Sequence, residues 1–145
     1  MGEAELGRMV AARQIEPVLA NLDTARDEIA TARLHLRAAR QIAGLDPTLA
    51  FTGLYDAIRK SIQGHMRANG YRVAKGPGAH RKTGEYAAAA LDKLGIEAQL
   101  DEFDTLRQIR NQSEYGALVV EEAEVARAHT AAEIIVEAVA RDLGV

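Results

Sequence analysis

Two segments of the chain gather side chains suited to holding a phosphate. The first is Tyr55-Asp56-Ala57-Ile58-Arg59-Lys60. On a helix, residues four apart share a face, so Tyr55 meets Arg59 and Asp56 meets Lys60. The second is Leu106-Arg107-Gln108-Ile109-Arg110-Asn111-Gln112-Ser113-Glu114-Tyr115-Gly116. There Arg107 faces Arg110 and Asn111 by the same rule. Arginine presents a planar fork of donors that grips a phosphate through two hydrogen bonds, and asparagine adds a neutral donor. A third stretch, from Arg72 to Lys82, carries Arg72, Lys75, His80, Arg81 and Lys82 and no acid. The expected site is a phosphodiester site led by Arg110, Asn111 and Tyr115, with Arg107, Arg59, His80 and Arg81 assisting.

Other chemistries find no support in residue type or spacing. There are no cysteines, so thiol catalysis, disulfides and cysteine-ligated metals are excluded. His35, His65, His80 and His129 form no His-Glu-x-x-His motif and no close pair, so no metal site is expected. His35, between Leu34 and Leu36, reads as a residue at a helix boundary face. Lys75-Gly76-Pro77-Gly78 is rich in glycine but lacks Walker spacing and follows a helical pattern, so it reads as a connector. Asp101, Glu102 and Asp104 read as a solvated helix face. No cofactor is expected.

The elements that must carry these residues are helical. Aromatics make up only 4% of the 145 residues, there is no Trp, and alanine supplies much of the apolar content. Alanine has the highest helix propensity, which favours closely packed helices. A first helix is expected from Glu3 to about Ile15. A second, capped by Asp23 or Thr24, carries Leu22, Ala25, Ile29, Ala32, Leu36, Ala39 and Ala43 at spacings of 3 and 4, a heptad seam. Arg26, Arg33, Arg37 and Arg40 lie off that seam. Asp46-Pro47 marks an N-cap and first turn, and a third helix runs to about Asn69 with Leu54, Ile58 and Ile62 inward. Residues 70–79 are the longest irregular segment. Further helices are expected over 80–94, 97–113 and 118–142. No segment alternates long enough to predict a strand. The expected fold is all-α, a single domain over 1–145, an antiparallel up-and-down bundle of five to six helices.

Charge is unevenly distributed. Residues 1–95 hold 14 Lys/Arg against 10 Asp/Glu, whereas residues 96–145 hold 4 against 11. The net charge of −3 therefore conceals a basic part and an acidic part, and local field matters more than the sum. Arg107 and Arg110 are two of the four cations in the acidic part. The first residues are acidic with no apolar run behind them, and uncharged stretches fall short of the ~20 residues that span a bilayer. A cytoplasmic protein without membrane partners is expected.

The helical pattern, the Tyr-Asp-Ala-x-Arg-Lys segment at 55–60 and the Arg-Asn-x-x-Glu-Tyr-Gly ending at 110–116 resemble the HEPN superfamily, the higher eukaryote and prokaryote nucleotide-binding domains. The likeness runs from about Arg8 to Leu143 and extends to a small bacterial subfamily with a Gly-x-Gly-x-His segment, here Gly76-Pro77-Gly78-Ala79-His80. The resemblance implies a helical bundle that dimerises and brings two motifs into one cleft. It further implies RNA or nucleotide binding in toxin–antitoxin or defence settings, with a nucleotidyltransferase-type antitoxin among the possible partners. Many members are metal-independent endoribonucleases whose motif is Arg, a polar residue, then His after four to six residues. Arg110 and Asn111 match the first two positions. The histidine position falls on Tyr115, Gly116 or Ala117, so the motif histidine is missing. Tyrosine, with a pKa near ~10, is a poor base at neutral pH. His80 could supply the imidazole if the 72–82 segment folds over the motif.

Three readings follow. One is RNA or nucleotide binding without catalysis. Another is cleavage by Arg110 with His80. The third is a protein-interaction module that dimerises through the alanine-rich seams; beside all three stands a purely structural role, with Arg110 paired to Asp56 and Tyr55 and Tyr115 at the core edge.

Overall fold

A computed structural model describes residues 2–115 and 119–145, with the side chains of 113–115 outside the description. Helices α1 (Gly2–Ala11), α2 (Leu22–Ile42), α3 (Pro47–Ala68), α4 (Ala79–Ala90), α5 (Glu97–Tyr115) and α6 (Glu122–Leu143) make up most of the chain. Two three-residue strands, β1 (Ile15–Pro17) and β2 (Tyr71–Val73), pair antiparallel with Ile15 opposite Val73 and Pro17 opposite Tyr71. A 3-10 turn, Asp92–Leu94, links α4 to α5. The expected all-α class holds, at 77% helix with one two-stranded sheet among the described residues.

Local chemistry explains most helix ends. Asp46 caps α3 by accepting from Leu49 N–H at 3.0 Å, with Pro47 in the first turn, as its type and position predict. The cap of α2 is Asn21, not Asp23 or Thr24. Its side chain accepts from Thr24 N–H at 3.0 Å, which places Thr24 inside the first turn. Glu121 and Glu124 form a reciprocal capping box on α6. The expected first helix stops early, at Ala11. Arg13 adopts φ 58°, and Gln14 N–H bonds back to Met9 O at 2.9 Å, closing a left-handed C-terminal turn. Ile15, expected in that helix, instead lies in β1 and is 1% exposed.

Helix α3 is the centre of the core. Phe51, Leu54, Tyr55, Ile58, Ile62 and Met66 are all buried on it. The α2 seam packs along it through Ala25, Ile29, Ala32, Leu36 and Ala39, while Leu22 at the end of the expected seam is exposed. The approach is close because the contact residues are small. A Cβ added at Gly64 would stand 3.3 Å from Ala25 O. Burying a side chain the size of Ile58 contributes roughly 2–3 kcal/mol. From α6, Val125, Ala128, Ala132, Ile135 and Val139 complete the core, the same residues whose 3 and 4 spacing marks that helix in the sequence.

The bundle departs from strict up-and-down order. Gly64 of α3 lies against Ala25 of α2 and Gly53 against His35, so α2 and α3 are antiparallel. Arg33 bonds Glu137 and Arg40 bonds Glu133, so α2 and α6 are antiparallel too. α6 therefore runs in the same sense as α3. So does α4, since Tyr55 meets His80 and, further along both helices, His65 meets Tyr86. The reason is the 69–78 connection. Residues 70–79 are expected to be irregular, yet the connection includes β2, is held by β1, and carries the chain back before α4 begins at Ala79, after the N-cap Gly78 (φ 80°).

Candidate functional site

The side chain at the centre of the candidate site is Tyr55. It belongs to the inward face of α3 and is fully buried. Phe103 of α5 packs against its ring, with centroids 5.3 Å apart and planes 23° from parallel. Two turns further along α5, the Arg110 guanidinium carbon lies over the same ring, 5.3 Å from its centroid, within cation–π range. His80, in the first turn of α4, closes the third side. Its Nδ1 is 2.8 Å from the Tyr55 hydroxyl, and the two rings are within 7° of parallel.

Thus α3, α4 and α5 each contribute one chemically active side chain to a single cluster. His80 and Arg110, thirty residues apart in the chain, touch opposite ends of one side chain's chemistry, its hydroxyl and its π face. Both are half-buried. Burial holds the Tyr55 phenol up at about 12, while the positive charges of Arg110, Arg59 and Arg107 pull it down and Asp56 adds to the rise. Three guanidiniums are therefore close enough to act on one hydroxyl. At neutral pH Tyr55 is a phenol, able to donate one proton in a hydrogen bond.

The other expected site residues are distributed around this cluster. Arg59 is held by Asp56 on its own helix at 3.1 Å, so the acid that the sequence offers to Arg110 is engaged by Arg59. Arg107 bonds Asp104 at 2.9 Å. Arg81 is exposed and bonds Glu85 at 3.1 Å, one turn along α4. Asn111 is exposed on α5. The side chain of Tyr115 lies outside the described residues. The basic 72–82 stretch is less one-sided than its sequence: Arg72 reaches Glu16 on β1 at 2.6 Å and Arg81 reaches Glu85. Glu85 is the i+4 neighbour of Arg81 on α4, whereas Glu16 comes from a distant strand.

A second polar cluster has no counterpart in the sequence reading. His65, 4% exposed, receives the Tyr86 hydroxyl at its Nδ1 at 2.9 Å, and its Nε2 is 3.0 Å from Asp142 Oδ2. A carboxylate only accepts, so Nε2 carries the proton and Nδ1 accepts from the phenol. Asn69 adds an amide donor, bonding the His65 carbonyl at 2.8 Å. Burial lowers the His65 pKa, against the hydrogen bond and charge of Asp142, which raise it. Burial also raises the Tyr86 phenol. A surface cleft of about 610 Å³, lined in part by Asn69, Tyr71 and Lys93, opens beside this cluster. The available sequence signal was the register of α3. His65 follows Leu54, Ile58 and Ile62 at helical spacing, so it faces inward and must find partners.

Among the described residues, no group of three or more His, Asp or Glu is placed to hold a metal ion. None of the described helices is long and apolar enough to cross a membrane. Comparison with known proteins finds no family model, no curated protein and no solved structure that matches this chain.

Proposed function

We propose that this chain is a HEPN-like helical domain that binds RNA, or a nucleotide-bearing partner, through the Arg110–Tyr55–His80 cluster. It would act as a homodimer in a toxin–antitoxin or defence setting. The observation that carries the reading is the convergence of Arg110 and His80 on Tyr55, with Arg59 and Arg107 close enough to perturb the same hydroxyl. Cations gathered around a buried phenol, two of them from the otherwise acidic 96–145 part of the chain, suit a phosphate group. The site would take the phosphodiester backbone, with Arg110 as the charge and His80 as a second donor. The test is the affinity for a short single-stranded RNA, measured by fluorescence anisotropy across a salt series. Binding that weakens with salt, and weakens further in Arg110→Ala with a shallower salt slope, supports the reading. Unchanged affinity in Arg110→Ala overturns it.

A second reading is favoured by the place of His80. It is a metal-independent endoribonuclease in which Arg110 stabilises charge on the phosphorane and His80 replaces the imidazole absent from the 110–117 motif. Cleavage that survives EDTA, leaves cyclic phosphate ends and disappears in His80→Ala would establish it. Intact RNA after prolonged incubation with clean wild-type protein would remove it.

A further inference from the structure

We propose that the cavity between α2, α3 and β2 binds a small zwitterion, a free α-amino acid with a short aliphatic side chain, with Glu28 taking its ammonium group and Arg67 its carboxylate.

The cavity measures about 250 Å³ and is built from three separate elements. Thr24 and Glu28 come from α2, and Gln63 and Arg67 from α3. Each pair is four residues apart and so shares one face of its helix. Strand β2 closes the third side with Arg72 and Val73. An acid from α2 can lie this close to α3 because Gly64 has no side chain. A Cβ there would stand 3.3 Å from both Ala25 O and Glu28 Cβ.

Two charged groups on these walls are unanswered. Glu28 Oε2 and Arg67 Nε are enclosed and have no hydrogen-bond partner among the described residues, although both side chains line the same cavity. Buried polar atoms in native folds are nearly always bonded, and a charged group left unbonded is costlier than a neutral one. A molecule carrying one charge of each sign would draw the carboxylate and the guanidinium to itself and relieve both.

The lining narrows the class of molecule. Arg72 is engaged by Glu16 at 2.6 Å, which leaves one carboxylate against one guanidinium. A phosphate would meet Glu28, and a simple cation would meet Arg67. No aromatic side chain lines the cavity, so a nucleobase has nothing to stack on. Sites for drug-sized molecules begin near ~300 Å³, so the occupant is small. Met66, which is buried, and Val73 offer an apolar surface to a short aliphatic chain. An amino acid fits the rest. Its carboxylate accepts two parallel bonds from the Arg67 fork, and its ammonium donates to Glu28. Nothing here depends on the RNA reading. Arg67 lies twelve residues beyond Tyr55 on α3, about 18 Å along the axis at ~1.5 Å per residue.

The experiment is ¹H–¹⁵N correlation NMR of the full chain, titrated separately with glycine, L-alanine and L-valine to about 10 mM. Saturable shifts should appear at the amides of 24–28, 63–67 and 72–73. N-acetyl-L-valine, which lacks the ammonium, and L-valinamide, which lacks the carboxylate, should bind about tenfold more weakly than L-valine or worse. Glu28→Gln should weaken L-valine about tenfold without weakening N-acetyl-L-valine. Arg67→Gln should weaken L-valine to the same degree without weakening L-valinamide. No saturable shift at these amides with any of the three amino acids overturns the proposal. So do blocked forms that bind as well as L-valine, variants that leave L-valine affinity unchanged, or inorganic phosphate that binds the same amides as tightly. The comparison of free and blocked forms on the wild-type protein decides the matter even if a variant fails to fold.

Discussion

Helices α3 and α4 are joined by two histidine–tyrosine pairs built from the same parts and set in different surroundings. In one, Tyr55 comes from α3 and His80 from α4; in the other, His65 comes from α3 and Tyr86 from α4. Each tyrosine is buried and each hydroxyl faces a histidine Nδ1. What differs is the third party. Around Tyr55 it is a set of guanidiniums, and the histidine is half-exposed at the start of its helix. Around His65 it is the Asp142 carboxylate, and the imidazole is 4% exposed. Near the first pair, Arg59 and Arg107 are themselves bonded to Asp56 and Asp104 on their own helices. In the second pair a carboxylate bonds the imidazole directly, and the cluster ties the last turn of α6 to α3 and α4. The same hydrogen-bond chemistry thus sits in two surroundings that differ in the charge of the neighbours and in access to solvent.

Substitutions can separate these roles. The largest stability effect is expected from His65→Ala, which opens a cavity and leaves a buried phenol and a carboxylate without their partner. About 3 kcal/mol should be lost in urea unfolding, with RNA affinity of the folded protein unchanged. If His65→Ala costs nothing, the second pair is not the structural one. Next comes Arg110→Ala. Loss of one charge-assisted contact should weaken RNA binding about tenfold to thirtyfold, with unfolding free energy altered far less.

A pH series sharpens the contrast further. The His65 pKa in the folded protein lies below its unfolded value, so the unfolded chain binds the extra proton first. Its contribution to stability is full above about pH 6.5 and is lost as pH falls from there through the folded pKa. The fall should be visible in wild-type melting curves and reduced in His65→Gln, whereas His80→Gln should leave it in place. The smallest effect belongs to Arg81→Ala. Arg81 is exposed and engaged with Glu85, so RNA affinity should fall by about threefold or less, chiefly at low salt. A loss as large as that of Arg110→Ala would mean that the α4 N-terminal turn, not the α5 arginine, is the main anchor.

The sequence by itself determined the helices and their inward faces. The α2 seam, the Leu54, Ile58 and Ile62 stripe, the Asp46-Pro47 start of α3 and the buried side of α6 all follow from propensity and from apolar spacing of 3 and 4, which are local properties. Arg110 and His80 were legible as candidates for the same reason, through residue type and neighbours. Local pattern failed where a distant segment supplied the partner. Strand β2 exists because β1 pairs with it from more than fifty residues away, and three-residue strands carry no period to read. The acid that binds Arg72, and the tyrosine that joins His80 to Arg110, are likewise matters of chain path. So is the Asp142 contact that turns His65 into an anchor. Tertiary structure decided which tyrosine meets which histidine and which charges from other helices reach each pair, and charge at close range inside a low-dielectric fold is what sets the two histidine–tyrosine pairs apart.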